Sequence, residues 1–246
     1  MDGVLAVASS KGGVGKTTTI VMLAEHFRKH GSVALLDADP NQKLISWLGD
    51  EKGESRVEGI TLVSLLGRNI VEAITDTKAQ HDVVIVDFAG ALTQEMVFGF
   101  GYASAVVIPS GSSKGDIDEA RKTYQVVEQT TALLSAGNPS FSLPAKVLLC
   151  KVRPNTDTYK AAKQQLAAWN VPVFGDDAHV PHRTSFEKAW WHKCSPQEVS
   201  DKGLKKQIAT VCTAIASLAG LAPSEAKPRK GRAPRAKKAA PAATPA

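Results

Sequence analysis

Two lysines stand at either end of a glycine-rich stretch, Lys11-Gly12-Gly13-Val14-Gly15-Lys16-Thr17-Thr18. No other part of the chain is better equipped for chemistry. Three residues without Cβ atoms let the backbone turn tightly and aim its N–H groups at an anion. The Lys16 ammonium would reach the terminal phosphates of a nucleotide, and the Thr17 hydroxyl would take a position on Mg²⁺. Six fixed residues in this order arise by chance in about one chain in 10⁵, so a plain glycine turn capped by threonine is set aside. The usual spacing has a glycine at position 10; here Ser10 stands there, followed by the second lysine, Lys11.

Three carboxylates could complete such a site. Asp37 and Asp39 follow the apolar run Val33 to Leu36, in the string Asp-Ala-Asp-Pro-Asn, and Asp87 follows Val83 to Val86. A carboxylate at the C-terminal end of a buried parallel strand suits Mg²⁺ held through water. Asp-Pro also starts turns after strands. From the residues alone, Asp37 and Asp39 are therefore open between a turn and a site.

The elements that must carry these residues are legible in outline. A short apolar strand, Val4 to Ala8, leads into the loop, and a helical stretch follows from Thr17 to Arg28. Strand-like runs alternate with helix-length segments over 246 residues, 43% of them hydrophobic, enough for one good-sized core. The pattern predicts a doubly wound α/β fold, a mostly parallel sheet with helices on both faces. Right-handed crossovers then place the loops after the strands on one edge, where ligands bind.

The string Lys-Gly-Gly-x-Gly-Lys-Thr-Thr resembles the deviant Walker A motif of the ParA/MinD superfamily of ATPases, and the likeness runs to about residue 200. It implies a P-loop NTPase fold, ATP and Mg²⁺ as ligands, and an ATP-dependent homodimer. It also implies that Lys11 is the signature lysine, crossing the dimer interface to the partner's nucleotide. A second cation there spreads the charge that builds up in phosphoryl transfer. Carried over, the catalytic set is Lys11, Lys16 and Asp39, with Asp39 positioning the attacking water. Thr17, Asp37 and Asp87 belong to the Mg²⁺ site. ATP contacts come from Lys11, Gly12, Gly13, Val14, Gly15, Lys16, Thr17 and Thr18, with Pro181 and Arg183 of "HVPHR" beside the base edge. Three departures stand out. Asn41 replaces a Gln, Phe88-Ala89-Gly90 replaces the usual switch sequence, and Lys151 and Arg153 stand where many relatives place an adenine-binding Asn. Asp116 is read as a helix-opening residue rather than a chemical one. The segment "GDIDEARKTYQVVE" also resembles the VirC-like branch of the superfamily.

The basic charge is concentrated at one end. Residues 223–246 hold seven of the 30 Lys and Arg and one of the 24 Asp and Glu, leaving 23 of each in residues 1–222. With no apolar side chain larger than Ala, residues 223–246 are expected to form a disordered arm behind an ATPase domain of residues 1–222. Lys227, Arg229, Lys230, Arg232, Arg235, Lys237 and Lys238 are candidates for nonspecific contacts to DNA phosphates; the alternative is a solubilising tail. With the loop opening at residue 11, no DNA-reading domain is expected ahead of it. The helical stretch 203–222 is expected to pack on the core, so no membrane partner is anticipated. Three scattered cysteines suit a reducing cytosol, and His179, His182, His192 and Cys194 lack the spacing of a familiar zinc site.

These features predict a small ParA-type ATPase, cytoplasmic and nucleoid-associated, that partitions or positions DNA or other cargo. It would bind nonspecific DNA in its ATP state and hydrolyse ATP slowly without a stimulating partner, ParB-like or a cargo adaptor. A VirC-like DNA-transfer factor, a MinD-like membrane switch and a small-substrate P-loop enzyme are the alternatives.

Overall fold

The apolar runs of the sequence become the strands of one sheet, in a computed structural model that describes residues 1–91 and 93–221. Strands β1 (Gly3–Val7), β2 (Val33–Asp37), β4 (Val83–Asp87) and β5 (Ala105–Ser110) are buried along their whole length. Such continuous apolar strings are what strands covered on both faces require. β3 (Ile60–Ser64) and β7 (Val180–Pro181) form the two edges, and β6 (Ala145–Val152) lies beside β7. The order is β3-β2-β4-β1-β5-β6-β7, and every pairing between these strands is parallel.

Alternate strand residues serve opposite layers, as the pleat dictates. Leu5, Val7, Leu35, Ile85 and Val107 pack with α1 (Lys16–Phe27), α2 (Lys43–Leu48) and α9 (Lys202–Leu218). Val4, Ala6, Leu36, Val86 and Ile108 pack with α3 (Ile70–Lys78), α4 (Gln94–Phe100), α5 (Lys114–Gly137) and α6 (Asp157–Ala168). Two further helices, α7 (Thr184–Trp191) and α8 (Pro196–Val199), lead from β7 to α9. The doubly wound fold expected from the sequence is therefore present, with the sheet wholly parallel.

The apolar side of α9 is spent on this core through Leu204, Ile208, Val211, Cys212 and Ile215. No described helix is long and apolar enough to cross a membrane. Because all seven strands run one way, their C-terminal ends share an edge, and β1 sits at its centre. β2 lies to one side of β1 and β5 to the other, which makes the end of β1 the switch point where α/β sheets open a crevice.

Candidate nucleotide site

The glycine loop leaves the end of β1 and winds directly into α1. Gly15 caps that helix at φ 106°, a left-handed conformation that contributes no side-chain hydrogen bond. A Cβ on Gly15 would also lie 3.1 Å from the Cys150 Cβ, so glycine is needed both for the turn and for the approach of β6. Five other helix starts are closed by their N-cap side chains: Asn69, Thr93, Ser113, Thr156 and Asp201 each accept first-turn N–H groups, whereas α7, like α1, has no side-chain cap. The start of α1 keeps its donors for an anion.

Lys16, at the first turn of α1, is 6% exposed. Burial pulls its ammonium below the usual lysine value, while the negative charges of Asp87 and Asp39 work in the other direction. Its Nζ also donates to the Lys11 carbonyl at 3.4 Å. Asp87, fully buried at the end of β4, is pushed up to about 7, chiefly by burial and next by the neighbouring Asp37. The Thr17 hydroxyl donates to Asp87 Oδ2 at 3.2 Å, while Asp87 Oδ1 is buried with no hydrogen-bond partner. A buried, unpartnered carboxylate oxygen next to a hydroxyl is a demanding arrangement to leave empty-handed. Oxygen donors of this kind fit Mg²⁺, which keeps several waters and takes few protein ligands.

Asp37 pairs with Asp87 in register across β2 and β4. Its two oxygens accept from the backbone N–H groups of Asp39 at 3.1 Å, Leu44 at 2.9 Å and Ile45 at 3.3 Å. Burial nonetheless raises it to about 6, against those hydrogen bonds. Asp37 thus closes the start of α2 and adds negative charge beside Asp87. Asp39 is also buried, and its Oδ1 accepts from both the backbone N–H and the side-chain amide of Asn41, each at 2.8 Å. Asn41, the departure from the family's Gln, is what orients Asp39.

The segment after β4 closes over the loop. Phe88 is buried edge-on against Phe100, with ring centroids 5.7 Å apart. Gly90 then approaches so closely that a Cβ there would lie 3.3 Å from the Gly12 nitrogen and 3.4 Å from Lys16 Nζ. The unusual Phe88-Ala89-Gly90 sequence thus combines an anchor with room for a tight approach.

Lys11 meets α5 rather than the carboxylates around Lys16. Its side chain is 42% exposed and its Nζ pairs with Asp116 Oδ1 at 2.6 Å. Asp116 does open α5, in a reciprocal cap with Ser113; its second role, holding Lys11, went unseen in the sequence. Ser10 explains its own presence too. Its hydroxyl donates to Glu119 Oε2 at 2.6 Å, and its N–H donates to Thr123 Oγ1 at 3.1 Å, fastening the loop to α5.

A cavity of about 370 Å³ adjoins the loop, lined by Gly15, Thr18, Pro181 and Arg183. The structure therefore brings the expected base-edge residues to the loop. Lys151 also lines it and Arg153 does not. Its apolar wall comes from Trp47, Phe186, Trp190 and Trp191, with Trp47 and Trp190 edge-to-face at 4.9 Å. Flat apolar surfaces of this kind accept a planar base.

Residues 5–191 match the model of the CobQ/CobB/MinD/ParA nucleotide binding domain. The chain belongs to this family. This MinD/ParA-family chain is 32% identical over 127 residues to the protein ParA of Rhizobium radiobacter, covering 51% of the chain and 56% of that relative. It thus spans little more than half of that relative's length. It is 27% identical over 173 residues to the maintenance of carboxysome distribution protein A of Halothiobacillus neapolitanus, covering 69% and 76% of the two chains. Its fold is similar to that of the septum site-determining protein MinD complexed with Mg-ADP from Pyrococcus horikoshii OT3. There the TM-score is 0.69 at 17% identity, over 90% of this chain and 98% of the other.

Sequence reasoning missed the tryptophan wall of the MinD/ParA-family site, because Trp47 and Trp190 meet only through the fold. The DNA contacts assigned to Lys227, Arg229, Lys230, Arg232, Arg235, Lys237 and Lys238 lie outside the described residues.

Proposed function

We propose that this chain is an ATP-dependent dimerising ATPase that partitions or positions DNA or another cargo over the nucleoid. One observation carries the reading: the two lysines of the loop hold different stations. Lys16 is buried against Asp87 and Asp39, placed to meet the phosphates of the nucleotide in its own site. Lys11 is at the rim, half-exposed and paired with a carboxylate on α5, placed to swing outward to a second chain's nucleotide. A second cation held at the rim, apart from the carboxylates around Lys16, suits a dimer that shares nucleotides across its interface.

In this reading Thr17 and Asp87 hold Mg²⁺, with Asp37 behind them. When bound, the ion would offset the negative charge of the phosphates. Asp39, oriented by Asn41, positions the attacking water. The base lies in the tryptophan-walled cavity beside Pro181 and Arg183. Residues 1–222 form the ATPase domain, and the basic segment 223–246 adds sequence-independent attraction to DNA in the ATP state. A partner protein, ParB-like or a cargo adaptor, supplies the stimulus for hydrolysis. The names of the ParA and carboxysome-distribution relatives support partition or positioning as the role.

Light scattering behind size exclusion, with Mg-ATP, Mg-ADP or no nucleotide, tests this reading. A dimer that forms with ATP alone and retains random duplex DNA supports it. Lys16→Ala should lose nucleotide binding, dimer and DNA retention together, because the phosphates lose their main buried cation. ATP binding unaffected by Lys16→Ala would remove the loop as the nucleotide site.

A further inference from the structure

Lys151 lies where β6 ends, and the chain bends out of its regular path to present it. The β6–β7 pairing slips in register between Cys150 and Val152, and Lys151 between them takes φ 56°. A bulge re-aims one side chain at the expense of the ladder, and left-handed backbone at a non-glycine residue is a cost the surroundings must impose. Here the re-aimed side chain has a definite target. The exposed Lys151 stretches across to the phosphate loop, and its Nζ donates to the Gly13 carbonyl at 2.8 Å. The same residue lines the base cavity, so it touches both halves of the site.

The geometry points to Lys151 as a positioning residue for nucleotide binding, one that sets the phosphate loop before the ligand arrives. A trans peptide is planar, with its C=O and the next N–H directed oppositely. Holding the Gly13 oxygen toward β6 therefore turns the Val14 N–H away from β6. Gly13 needs such restraint. It takes φ 77°, and beyond its chain neighbours no atom lies within 4 Å of where its Cβ would be, so that side of the turn is open. Lys151 adds one charge-assisted hydrogen bond to the Gly13 carbonyl. It acts through the loop's backbone, in its own chain, and so sets affinity for ADP and ATP alike rather than the rate of the chemical step.

This inference rests on reading the cavity and loop as a nucleotide site, and the experiment separates the two. Lys151→Met keeps the side-chain length and lacks the ammonium; Lys151→Gly relieves the backbone strain outright and guards against misfolding of the first variant; Lys151→Arg keeps charge and reach. Equilibrium Kd values for Mg-ADP and Mg-ATP, single-turnover hydrolysis rates and ligand-free melting temperatures are measured for each. Both Met and Gly variants should weaken the two nucleotides equally, by about tenfold, with hydrolysis at saturation within twofold of wild type and no loss of melting temperature. Arg should restore most of the affinity. Wild-type affinity in both Met and Gly variants, or a loss confined to the hydrolysis rate, overturns the role of Lys151 alone. Failure of the unaltered protein to bind either nucleotide overturns the reading of the site, and this inference with it.

Discussion

Lys11 and Asp116 form an ion pair at 2.6 Å that ties the rim of the phosphate loop to the first turn of α5. The Lys11 hydrogen bond and charge hold the Asp116 carboxyl below the ordinary carboxylate value despite its partial burial, with help from Ser113. For Lys11 to act on a second nucleotide, this pair must open. The Lys11 end is 42% exposed and the Asp116 end 18%, so water can replace the lysine at a cost of about 1 kcal/mol.

Removing each partner separates the two roles. Lys11→Ala should bind nucleotide within a few-fold of wild type but fail to dimerise with ATP. Asp116→Asn frees Lys11 and should lower the ATP concentration needed for dimerisation, while costing about 1 kcal/mol of stability through the weakened α5 cap. Analytical ultracentrifugation across an ATP titration checks both. A Lys11→Ala chain that dimerises normally would contradict the trans role.

Asp39→Ala should do the reverse of Lys11→Ala. It removes the buried carboxylate oriented by Asn41 and one of the two negative charges acting on Lys16, while leaving Asp87 and the Thr17 hydrogen bond to it in place. ATP binding and the ATP dimer should persist, with turnover down about 100-fold or more. Single-turnover hydrolysis alongside dimer lifetime decides it; turnover close to wild type would exclude Asp39 from the water-positioning role.

Asp87 gives a pH dependence with a definite sign. Its carboxyl ionises at about 7 in the folded chain, where burial opposes the charged form, and near 4 when unfolded. Between those values the folded chain keeps a proton that the unfolded chain has lost, so this residue makes stability fall as pH rises from about 4 through about 7. Asp87→Asn cannot ionise and should flatten that slope in Mg²⁺-free protein, gaining about 4 kcal/mol at most at pH 8. Urea unfolding at pH 5 and pH 8 with chelator present measures the difference. Equal slopes for both proteins would mean that Asp87 already ionises freely in the fold.

The basic segment makes a prediction that depends on charge alone. A chain ending at Ala222 loses seven Lys and Arg and one Glu, and should keep its ATPase activity while binding random duplex more weakly. Each phosphate contact removed should flatten the log–log salt dependence by about 0.9. Salt titrations of both chains with ATP provide the measurement, and identical slopes would return the segment to a solubilising role.

How much of this was legible in the sequence depended on whether the signal was local. The phosphate loop, Asp87 and the packing of α9 each announce themselves within a dozen residues, through glycine spacing, an apolar run ended by Asp, and helical period. Asp37 was half legible. Its place at the end of β2 is a pattern, whereas its hold on Leu44 and Ile45 is geometry. Asp116 was read as a cap because capping is local, and its pairing with Lys11 spans 105 residues. Lys151 was legible only as a departure from an expected Asn. Its reach to Gly13 depends on a bulge that no periodicity encodes.

Three of the chain's four tryptophans, Trp47, Trp190 and Trp191, line the cavity beside the loop. The fourth, Trp169, sits under the Arg121 guanidinium at 4.6 Å, outside that lining. Tryptophan emission is thereby concentrated where a nucleotide base would lie, with one tryptophan outside the lining as background. Occupancy of the site can be followed optically in the unaltered protein, with no dye or labelled nucleotide to perturb it.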